Sequence, residues 1–561
     1  MKKKVLSLLL VTAMAASLIV GCGGSSDVST SAGTDTSNAG ADTSGGGTES
    51  TGVVAEVQQE ATSSDVDSAN VDVVNIASER DPTDMGPWAG NMGGASAIVP
   101  LVYQSLQIME LNSEMEPCLA KTVTQVDALT YEVELFDYII DSQGNPFTSS
   151  DVEFGLKTAK EIGKASQVKV VESIEVVDDY NFIVHFSENA AMGDFEAFFA
   201  QVNWVTQAAY EADGNGMAQA PVGTGPYAMT NYTGGSVITF EARDDYWQTD
   251  ASYIARSSEA HADVINYQII TEAAQRAIAV ESGSLDYGMV SLADKQRLEG
   301  EGIGIVGVPD NLTFMFFLNM SEGGESPVST SLELRQALCY ALDNAQISQL
   351  FTTADSVPVY DISNSNYPDY YGDVYESEDN LYQYDAAKAQ ELLKTSGFNG
   401  TLKLICSSDE TSIKLAEILK QFWSAVGIDI EIESYQGNMM SDVSADPNNW
   451  DIYLLQYAST DYAVNVWEKV LNKAKYAWGG TINFIMDDEL QDKLAEVRSI
   501  DGHTKENVIA FHDYVVDGAW AYGLIQGVNY YACSDKIDTK NVVFSEQRII
   551  RPNATIYNVT E

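Results

Sequence analysis

The sequence predicts a mixed α/β protein, because strand-like and helix-like runs alternate along most of its length. The clearest case is a β-α-β unit, in which strands at Leu402–Ser407 and Ile428–Ser434 flank a helix at Thr411–Val426. The run Leu129–Leu135 alternates polar and apolar side chains, which is typical of a strand with one buried face. We find no internal repeat.

A further helix begins near Thr148, because Thr148 or Ser149 can cap it and acidic residues follow in the first turn. The run Pro221–Tyr227, PVGTGPY, predicts a rigid loop, since its two prolines fix the backbone while its two glycines relax it. The other predicted strands are Val71–Ile76, Val171–Val177, Asn181–Phe186, Ser236–Ala242, Ile265–Ile270, Phe314–Leu318, Asp451–Tyr457 and Val542–Phe544. The other predicted helices are Ala97–Leu106, Thr271–Gly283, Ser331–Leu342 and Asp385–Ser396.

The N-terminus predicts an exported lipoprotein. Three lysines at positions 2–4 precede the apolar run Val5–Val20, which is short for a membrane span and has signal-peptide flanks. The run ends in Gly21-Cys22, which resembles a bacterial lipobox. We therefore expect residues 1–22 to be the signal peptide and Cys22 to be lipidated, which would hold the protein on the outer face of the cell membrane. An ordinary signal peptide with an incidental cysteine is the alternative.

Residues 23–67 predict a disordered tether. They are mostly Gly, Ser, Thr, Ala and Asp and hold almost no large apolar side chains. Such a segment cannot bury enough apolar surface to offset its ordering entropy. The remaining chain is long enough for two or three domains, and no later apolar stretch reaches transmembrane length.

The charge of the chain excludes one class of partner. It has 82 acidic and 30 basic residues among 561, for a net charge of −52. Nucleic acid is therefore not expected to bind, because phosphate recognition needs clustered lysine and arginine. The acidity either enriches cationic and zwitterionic ligands weakly or only keeps the surface soluble.

The sequence holds no recognisable catalytic or metal motif. Its four histidines, at 185, 261, 503 and 512, form no nucleophile or paired-ligand pattern, and we find no phosphate-binding glycine loop. The cysteines at 118, 339, 406 and 533 lack metal-like spacing. We predict that the protein is not an enzyme, uses no cofactor or metal, and keeps these four thiols unpaired, with Cys339 and Cys406 buried in the core.

Several motifs occur in the order found in the family 5 extracellular solute-binding proteins of ABC importers, which this chain resembles over about 71–458. The PVGTGPY loop is the most specific. The other matching segments are Val102–Leu106, Glu116–Ala120, Leu129–Leu135, Pro146–Phe154, Asp245–Trp247, Leu334–Asp343 and Tyr384–Leu393.

The resemblance implies a fold like that of the type II periplasmic binding proteins, with two lobes joined by two strand hinges and an extra third domain. Domain I would comprise residues 68–116, 221–312 and 525–561, domain II residues 117–220, and domain III residues 313–524. A ligand would be enclosed in the cleft when the lobes close by hinge motion.

The resemblance also implies candidate ligand-binding residues. In the family's peptide binders an Asp after a domain III strand pairs with the ligand's α-ammonium group, and Asp461 occupies that place. A desolvated carboxylate facing an ammonium group makes a strong hydrogen bond, which does not depend on the side chains that the bound peptide carries. Tyr457 stands where the family has Trp, and one extra residue separates it from Asp461. An exposed loop acid is the alternative interpretation.

Aromatic residues on segments that face the cleft in relatives complete the candidate set, with core packing as the alternative for each. They are Trp88, Tyr457, Tyr462, Trp520 and Tyr522.

The resemblance thus implies a monomeric substrate-binding component that captures short peptides and delivers them to ABC permease subunits. Two alternatives stay open. The same fold could bind another solute, such as an oligosaccharide or a metal chelate, or it could serve as a peptide-signal receptor or chaperone.

Overall fold

The computed structural model describes residues 71–555, except for gaps at 83, 90–97, 111–113, 189, 322–323, 353–355, 376, 378–381, 437, 458–461, 473–486, 545–550 and 552. The signal peptide, Cys22 and the tether therefore lie outside the described residues, and so does Asp461.

The described chain contains these strands: β1 Val71–Ser78, β2 Gln107–Met109, β3 Met115–Pro117, β4 Ala120–Asp127, β5 Thr130–Leu135, β6 Val171–Val176, β7 Asn181–Phe186, β8 Tyr227–Thr233, β9 Val237–Ala242, β10 Ala262–Ile269, β11 Tyr287–Val290, β12 Gly304–Leu318, β13 Val357–Pro358, β14 Thr401–Ser407, β15 Asp429–Tyr435, β16 Ile452–Tyr457 and β17 Ala521–Cys533.

It contains these helices: α1 Ser149–Ile162, α2 Asp194–Gln201, α3 Gln207–Asp213, α4 Ala273–Glu281, α5 Leu292–Gly300, α6 Pro327–Thr330, α7 Leu332–Tyr340, α8 Asn344–Thr352, α9 Gly372–Tyr375, α10 Ala386–Ser396, α11 Glu410–Val426, α12 Asn438–Ser444, α13 Ala463–Leu471, α14 Asp488–Arg498 and α15 Lys505–Gly518.

One large sheet runs through the molecule in the order β15-β14-β16-β12-β17-β11-β1-β10-β9-β8, with β13 added alongside β17. We call β1–β11 with α1–α5 the first lobe, and β13–β16 with α6–α15 the second lobe. The central strands β12 and β17 belong to both. The first lobe also carries a four-stranded antiparallel sheet, β4-β5-β7-β6, and the β2-β3 pair.

The second lobe has a core on each face of its part of the sheet. Along β12, Phe314, Phe316 and Leu318 belong to one core, whereas Met315 and Phe317 belong to the other. A strand buried on both faces needs a continuous apolar run, and this is why the Phe314–Leu318 pattern predicted a strand. In the first lobe one core joins the large sheet to the four-stranded sheet, and a smaller core packs α4 and α5 against the large sheet.

Most of the predicted elements are confirmed. The β-α-β unit is β14-α11-β15, and its two strands pair in parallel. Helix α1 begins after Thr148, whose backbone N–H donates to Asp151 Oδ2 at 2.7 Å in a capping box. Cys339 lies in α7 and Cys406 in β14, both buried, and all four cysteines of the described chain are free thiols.

The prediction of a helix at Ala97–Leu106 is wrong for residues 98–106, which the structure describes. Only a 3-10 turn at Val99–Leu101 forms there. The PVGTGPY loop lies against this segment, and the Gly225 N–H donates to the Val102 carbonyl at 2.8 Å. A helix would need that carbonyl for its own hydrogen bonds, so the loop and a helix exclude each other.

Of the strand predicted at Val542–Phe544, only a single β-bridge at Phe544 is formed in the described chain. The Val543 N–H donates to the hydroxyl of Thr555 at 2.9 Å, and its carbonyl accepts from the Arg551 N–H at 2.8 Å. The segment therefore pairs with the C-terminal turn instead of extending the sheet.

No helix in the described part of the chain is both long and apolar enough to span a membrane. Across the same residues, no group of three or more His, Cys, Asp and Glu side chains is placed to hold a metal ion.

Candidate functional site: a cavity beside the contact between two lobes

The two lobes are joined by the central strand pair. The first part of β12, Gly304–Pro309, pairs with the end of β17, whereas Thr313–Leu318 lies between β17 and β16. The pairing register shifts between Pro309 and Thr313, so the ladder is interrupted where the strands pass from one lobe to the other. A break in a two-strand connection is a suitable place for bending, because few ladder bonds resist it.

The lobes also touch where α2 of the first lobe meets the second lobe. The Met192 N–H donates to the Arg498 carbonyl at 3.1 Å, and Asn465 Nδ2 donates to the Met192 carbonyl at 3.3 Å. The Tyr462 hydroxyl donates to Glu196 Oε1 at 3.4 Å. The lobes are therefore closed against each other at this point.

The second-lobe side of this contact is the start of α13, which a buried carboxylate fixes. Asp369 is 2 % exposed and accepts from the N–H groups of Ala463 at 2.6 Å and Val464 at 3.1 Å. Burial raises the pKa of Asp369 to about 6, against the lowering effect of these N–H groups and of His503, whose Nε2 lies 3.9 Å away. The carboxylate occupies the positive end of the helix and so sets where α13 begins.

A cavity of about 450 Å³ lies in the first lobe. Such a volume suits a small organic ligand. Its apolar wall includes Trp88, Ile108 and Met109, and its polar wall includes Gln104 and Asn203. The cavity therefore combines aromatic surface with hydrogen-bonding groups, as small-molecule sites do.

Trp88 is the predicted ligand residue that lines this cavity. Its indole N–H donates to the Asn203 carbonyl at 2.9 Å, and its ring packs 5.1 Å from Tyr210. Because the indole group is fixed on one side, only part of the ring borders the cavity.

Tyr457 and Tyr462 lie at the two ends of the segment 458–461, which contains Asp461. Tyr457 is the last residue of β16, and Lys469 Nζ lies 5.5 Å from the centre of its ring. Tyr462 is the residue before α13 and contacts His503 as well as Glu196. Tyr462 thus places one end of this segment at the contact between the lobes.

Trp520 and Tyr522 lie in the cores of the second lobe. The Trp520 ring packs 5.4 Å from Tyr514, and the Tyr522 ring packs 5.7 Å from Phe316. Burial raises the pKa of Tyr522 well above its ordinary value. Neither residue is among those described as lining the cavity. Their positions agree with core packing, the alternative that the sequence left open for each aromatic residue.

Several residues of this region were not predicted from the sequence. Lys164, Gln167, Gln201 and Asn203 line the cavity from the ends of helices and from loops. The C-terminal turn contributes further lining groups. No periodic pattern or motif marks these positions, because it is the packing of distant segments that brings them together.

The fold and the cavity beside the lobe contact define the class of the protein as a two-lobed binding protein. Residues 114–468 match the family of bacterial extracellular solute-binding proteins, family 5 Middle, and the chain belongs to this family. It is therefore a substrate-binding protein of the ABC importer type. The predicted family, the α/β fold and the absence of an enzymatic role are all confirmed by this membership.

Two named relatives illustrate the breadth of the family. The chain is 22% identical to the glutathione-binding protein GsiB of Pectobacterium atrosepticum over 395 residues, which are 68% of this chain and 72% of the relative. It is 21% identical to the oligopeptide-binding protein OppA of Bacillus subtilis over 443 residues, which are 71% and 75% of the two chains.

The fold is shared with solved structures. The ABC transporter substrate-binding protein CtaP of Listeria monocytogenes superposes with a TM-score of 0.75 at 21% identity, covering 87% of this chain and 99% of that protein.

Proposed function

We propose that this protein captures short peptides between its lobes and delivers them to the permease subunits of an ABC importer. It does so as a monomer anchored to the outer face of the cell membrane through lipidated Cys22. The names of the relatives support a peptide-like ligand, since one is an oligopeptide-binding protein and another binds glutathione.

The observation that carries this proposal is the position of α2. Glu196, in its first turn, accepts the hydrogen bond from Tyr462 of the other lobe, whereas Gln201, its last residue, lines the cavity. Glu196 and Gln201 are five positions apart on this helix, so the lobe contact and the cavity lie about 7.5 Å apart along one rigid element. Movement of the second lobe is therefore transmitted directly to the cavity wall.

Hinge closure would use the interrupted strand pair. The proposed domain limits, with domain I at 68–116, 221–312 and 525–561, domain II at 117–220 and domain III at 313–524, are consistent with β12 and β17 as the two connections. A ligand enclosed by closure loses contact with water, which strengthens its charged hydrogen bonds.

Asp461 is proposed to bind the ligand's α-ammonium group, with aromatic contacts from Trp88, Tyr457 and Tyr462. Tyr457 and Tyr462 flank the segment that contains Asp461, and Tyr462 contacts Glu196 of the first lobe. An ammonium group is common to all peptides with a free N-terminus, so this recognition would tolerate many side chains.

Calorimetry with a peptide panel that includes glutathione tests the proposal. We expect free peptides to bind and their N-acetylated forms to bind about 3 kcal/mol more weakly, as when one partner of a buried charge pair is removed. Asp461→Ala should cause a similar loss. Asp492→Ala is the matched control, because Asp492 is an exposed acid on α14 of the same lobe. Equal affinity for free and acetylated peptides would refute the role of Asp461, and no binding by any peptide would refute the proposed ligand class.

A further inference from the structure

A turn of the second lobe reaches across to the first lobe. It is the connection 499–504 between α14 and α15, which we call the α14–α15 turn, and it follows Arg498, whose carbonyl accepts from the Met192 N–H of the first lobe. In this turn, the Ile500 side chain is half-buried and packs against the core of the first lobe. Among the described residues of that core, Ile500 is the one that the second lobe contributes. The lobes are thus held together by apolar packing as well as by hydrogen bonds.

The α14–α15 turn is held in shape by the second lobe itself. The Ser499 hydroxyl donates to the Glu496 carbonyl at 2.7 Å and accepts from the Gly502 N–H at 3.0 Å. Asn507 Nδ2, in α15, donates to the Gly502 carbonyl at 3.0 Å. Because these bonds lie within one lobe, they do not depend on closure, and the turn presents Ile500 to the first lobe at little entropic cost.

The hydrogen bonds that hold Met192 have the same support. Arg498 Nη1 lies 3.1 Å from Glu468 Oε1, and the Glu468 side chain is 5% exposed. This ion pair ties the end of α14 to α13, the helix that supplies the Asn465 amide to the Met192 carbonyl. Both backbone groups of Met192 are therefore bonded to second-lobe groups that are fixed relative to each other, so these contacts form and break together.

The contacts that join the lobes are separate from the cavity. Ile500, Arg498 and Asn465 are not among the residues described as lining it. Apolar burial and backbone hydrogen bonds between the lobes stabilise the closed arrangement whatever occupies the cavity, because they involve no ligand atom. Opening the lobes exposes the Ile500 side chain and the Met192 N–H to water, so the protein itself contributes to the free energy of closure.

We propose that the α14–α15 turn is a latch, with Ile500 as its apolar contact, that holds the lobes closed without a ligand and thereby limits the rate of ligand entry. The open form that admits a ligand is then only fractionally populated, and association is slowed by that fraction. Weakening the latch speeds the association of every peptide by the same factor. The effect on entry rests on the proposed capture of peptides, whereas the effect on lobe opening does not.

Hydrogen exchange tests the latch at the lobe contact. The acceptor of the Met192 N–H, the Arg498 carbonyl, lies in the other lobe, so this amide exchanges with solvent deuterium when the lobes open. The full-length protein is labelled without added peptide and analysed by mass spectrometry with electron-transfer fragmentation, which resolves single amides. We expect the wild-type Met192 amide to be protected. Its exchange should be about tenfold faster in Ile500→Ala, because the substitution removes three carbon atoms from a half-buried contact.

Two controls separate lobe opening from loss of the fold. Ile278→Ala removes the same three carbon atoms from α4, where Ile278 is 60% exposed, and should leave the exchange of Met192 at the wild-type rate. The Phe186 N–H is bonded within the first lobe, to the Leu129 carbonyl at 2.8 Å. The exchange rate of Met192 is therefore expressed relative to that of Phe186 in the same sample, which cancels any change in global stability.

The outcomes for the latch do not depend on the ligand. A Met192 amide that exchanges in the wild type as fast as in a free peptide overturns the latch, and this result needs no variant. An unchanged ratio of the Met192 and Phe186 exchange rates in Ile500→Ala also overturns it.

Stopped-flow mixing with trialanine tests the limit on entry. Ile500→Ala should associate with this peptide about tenfold faster than the wild type does, and Ile278→Ala should associate at the wild-type rate. Equal association rates for all three proteins would overturn the limit on entry. If no peptide of the calorimetric panel binds, the proposed function itself fails, while hydrogen exchange still decides whether the latch exists.

Discussion

At the scale of single residues, the structure gives the PVGTGPY loop a steric role. A Cβ atom on Gly223 would lie 2.2 Å from the Val102 carbonyl oxygen, and one on Gly225 would lie 2.5 Å from the Leu101 carbonyl oxygen. Both contacts are with backbone atoms, which cannot move aside as the end of a side chain can. The motif was recognisable in the sequence, but its contact partner was not, because the loop meets that partner only in the folded chain.

We predict that Gly223→Ala destabilises the protein by about 3 kcal/mol, since the new methyl group forces two backbone segments apart. Gly300→Ala is the control, because a Cβ atom there would have no neighbour within 4 Å. Urea unfolding monitored by circular dichroism measures the free energy of unfolding of both variants. Equal stability of the two variants would contradict this account of the loop.

At the scale of secondary-structure elements, α13 depends on a side chain from a distant segment. Asp369 supplies the negative charge at the helix start, although 93 residues separate it from Tyr462 in sequence. Local sequence signals predicted the N-terminus of α1, whose capping residue Thr148 adjoins the helix. They could not identify Asp369, because its contact with α13 is tertiary.

The raised pKa of Asp369 predicts a specific pH dependence. A folded-state pKa of about 6, against an ordinary value of 3.8, means that the folded protein favours the protonated acid. The contribution of Asp369 to stability is therefore greatest at low pH and is lost as the pH rises through about 4 to 6, by about 3 kcal/mol in total. His503, Tyr371 and Tyr375 are titratable groups close to Asp369.

The test compares the free energies of unfolding of the wild type and Asp369→Asn at pH 4.5 and pH 7. The wild type should lose more stability than the variant as the pH rises, because the amide does not titrate. Subtracting the change measured for Asp369→Asn from that of the wild type cancels the repulsion among the many other acids, because both proteins share it. Asp492→Asn, at an exposed position, should follow the wild type, and parallel curves for all three proteins would refute the assignment.

At the scale of the whole molecule, the closed contact between the lobes makes hinge motion testable. The hydrogen bond between the Met192 N–H and the Arg498 carbonyl, at 3.1 Å, places these two residues side by side across the interface. Because this hydrogen bond holds the two backbones against each other, cysteines at these positions are suitable candidates for a disulfide bond across the interface.

We predict that the double variant Met192→Cys/Arg498→Cys, once oxidised, takes up peptides at least about a hundredfold more slowly than the wild type, because the closed lobes cannot admit a ligand. Reduction should restore the rate. Stopped-flow experiments measure the rate of peptide association. The single variants Met192→Cys and Arg498→Cys control for the loss of each native side chain. Unchanged association after oxidation, with the bond verified by mass spectrometry, would exclude hinge opening at this contact.

The sequence by itself determined the fold class, the family and most of the elements, because these depend on local periodicity, capping and motifs that are written in consecutive residues. Only the tertiary structure decided the cavity and its lining. Trp88, Trp520 and Tyr522 were all predicted as binding residues, and all three lie in hydrophobic cores, although Trp88 also borders the cavity, because burial depends on which segments pack around each residue. Asn553 and Ser257 lie 296 positions apart, and their contact arises only when the chain folds back on itself.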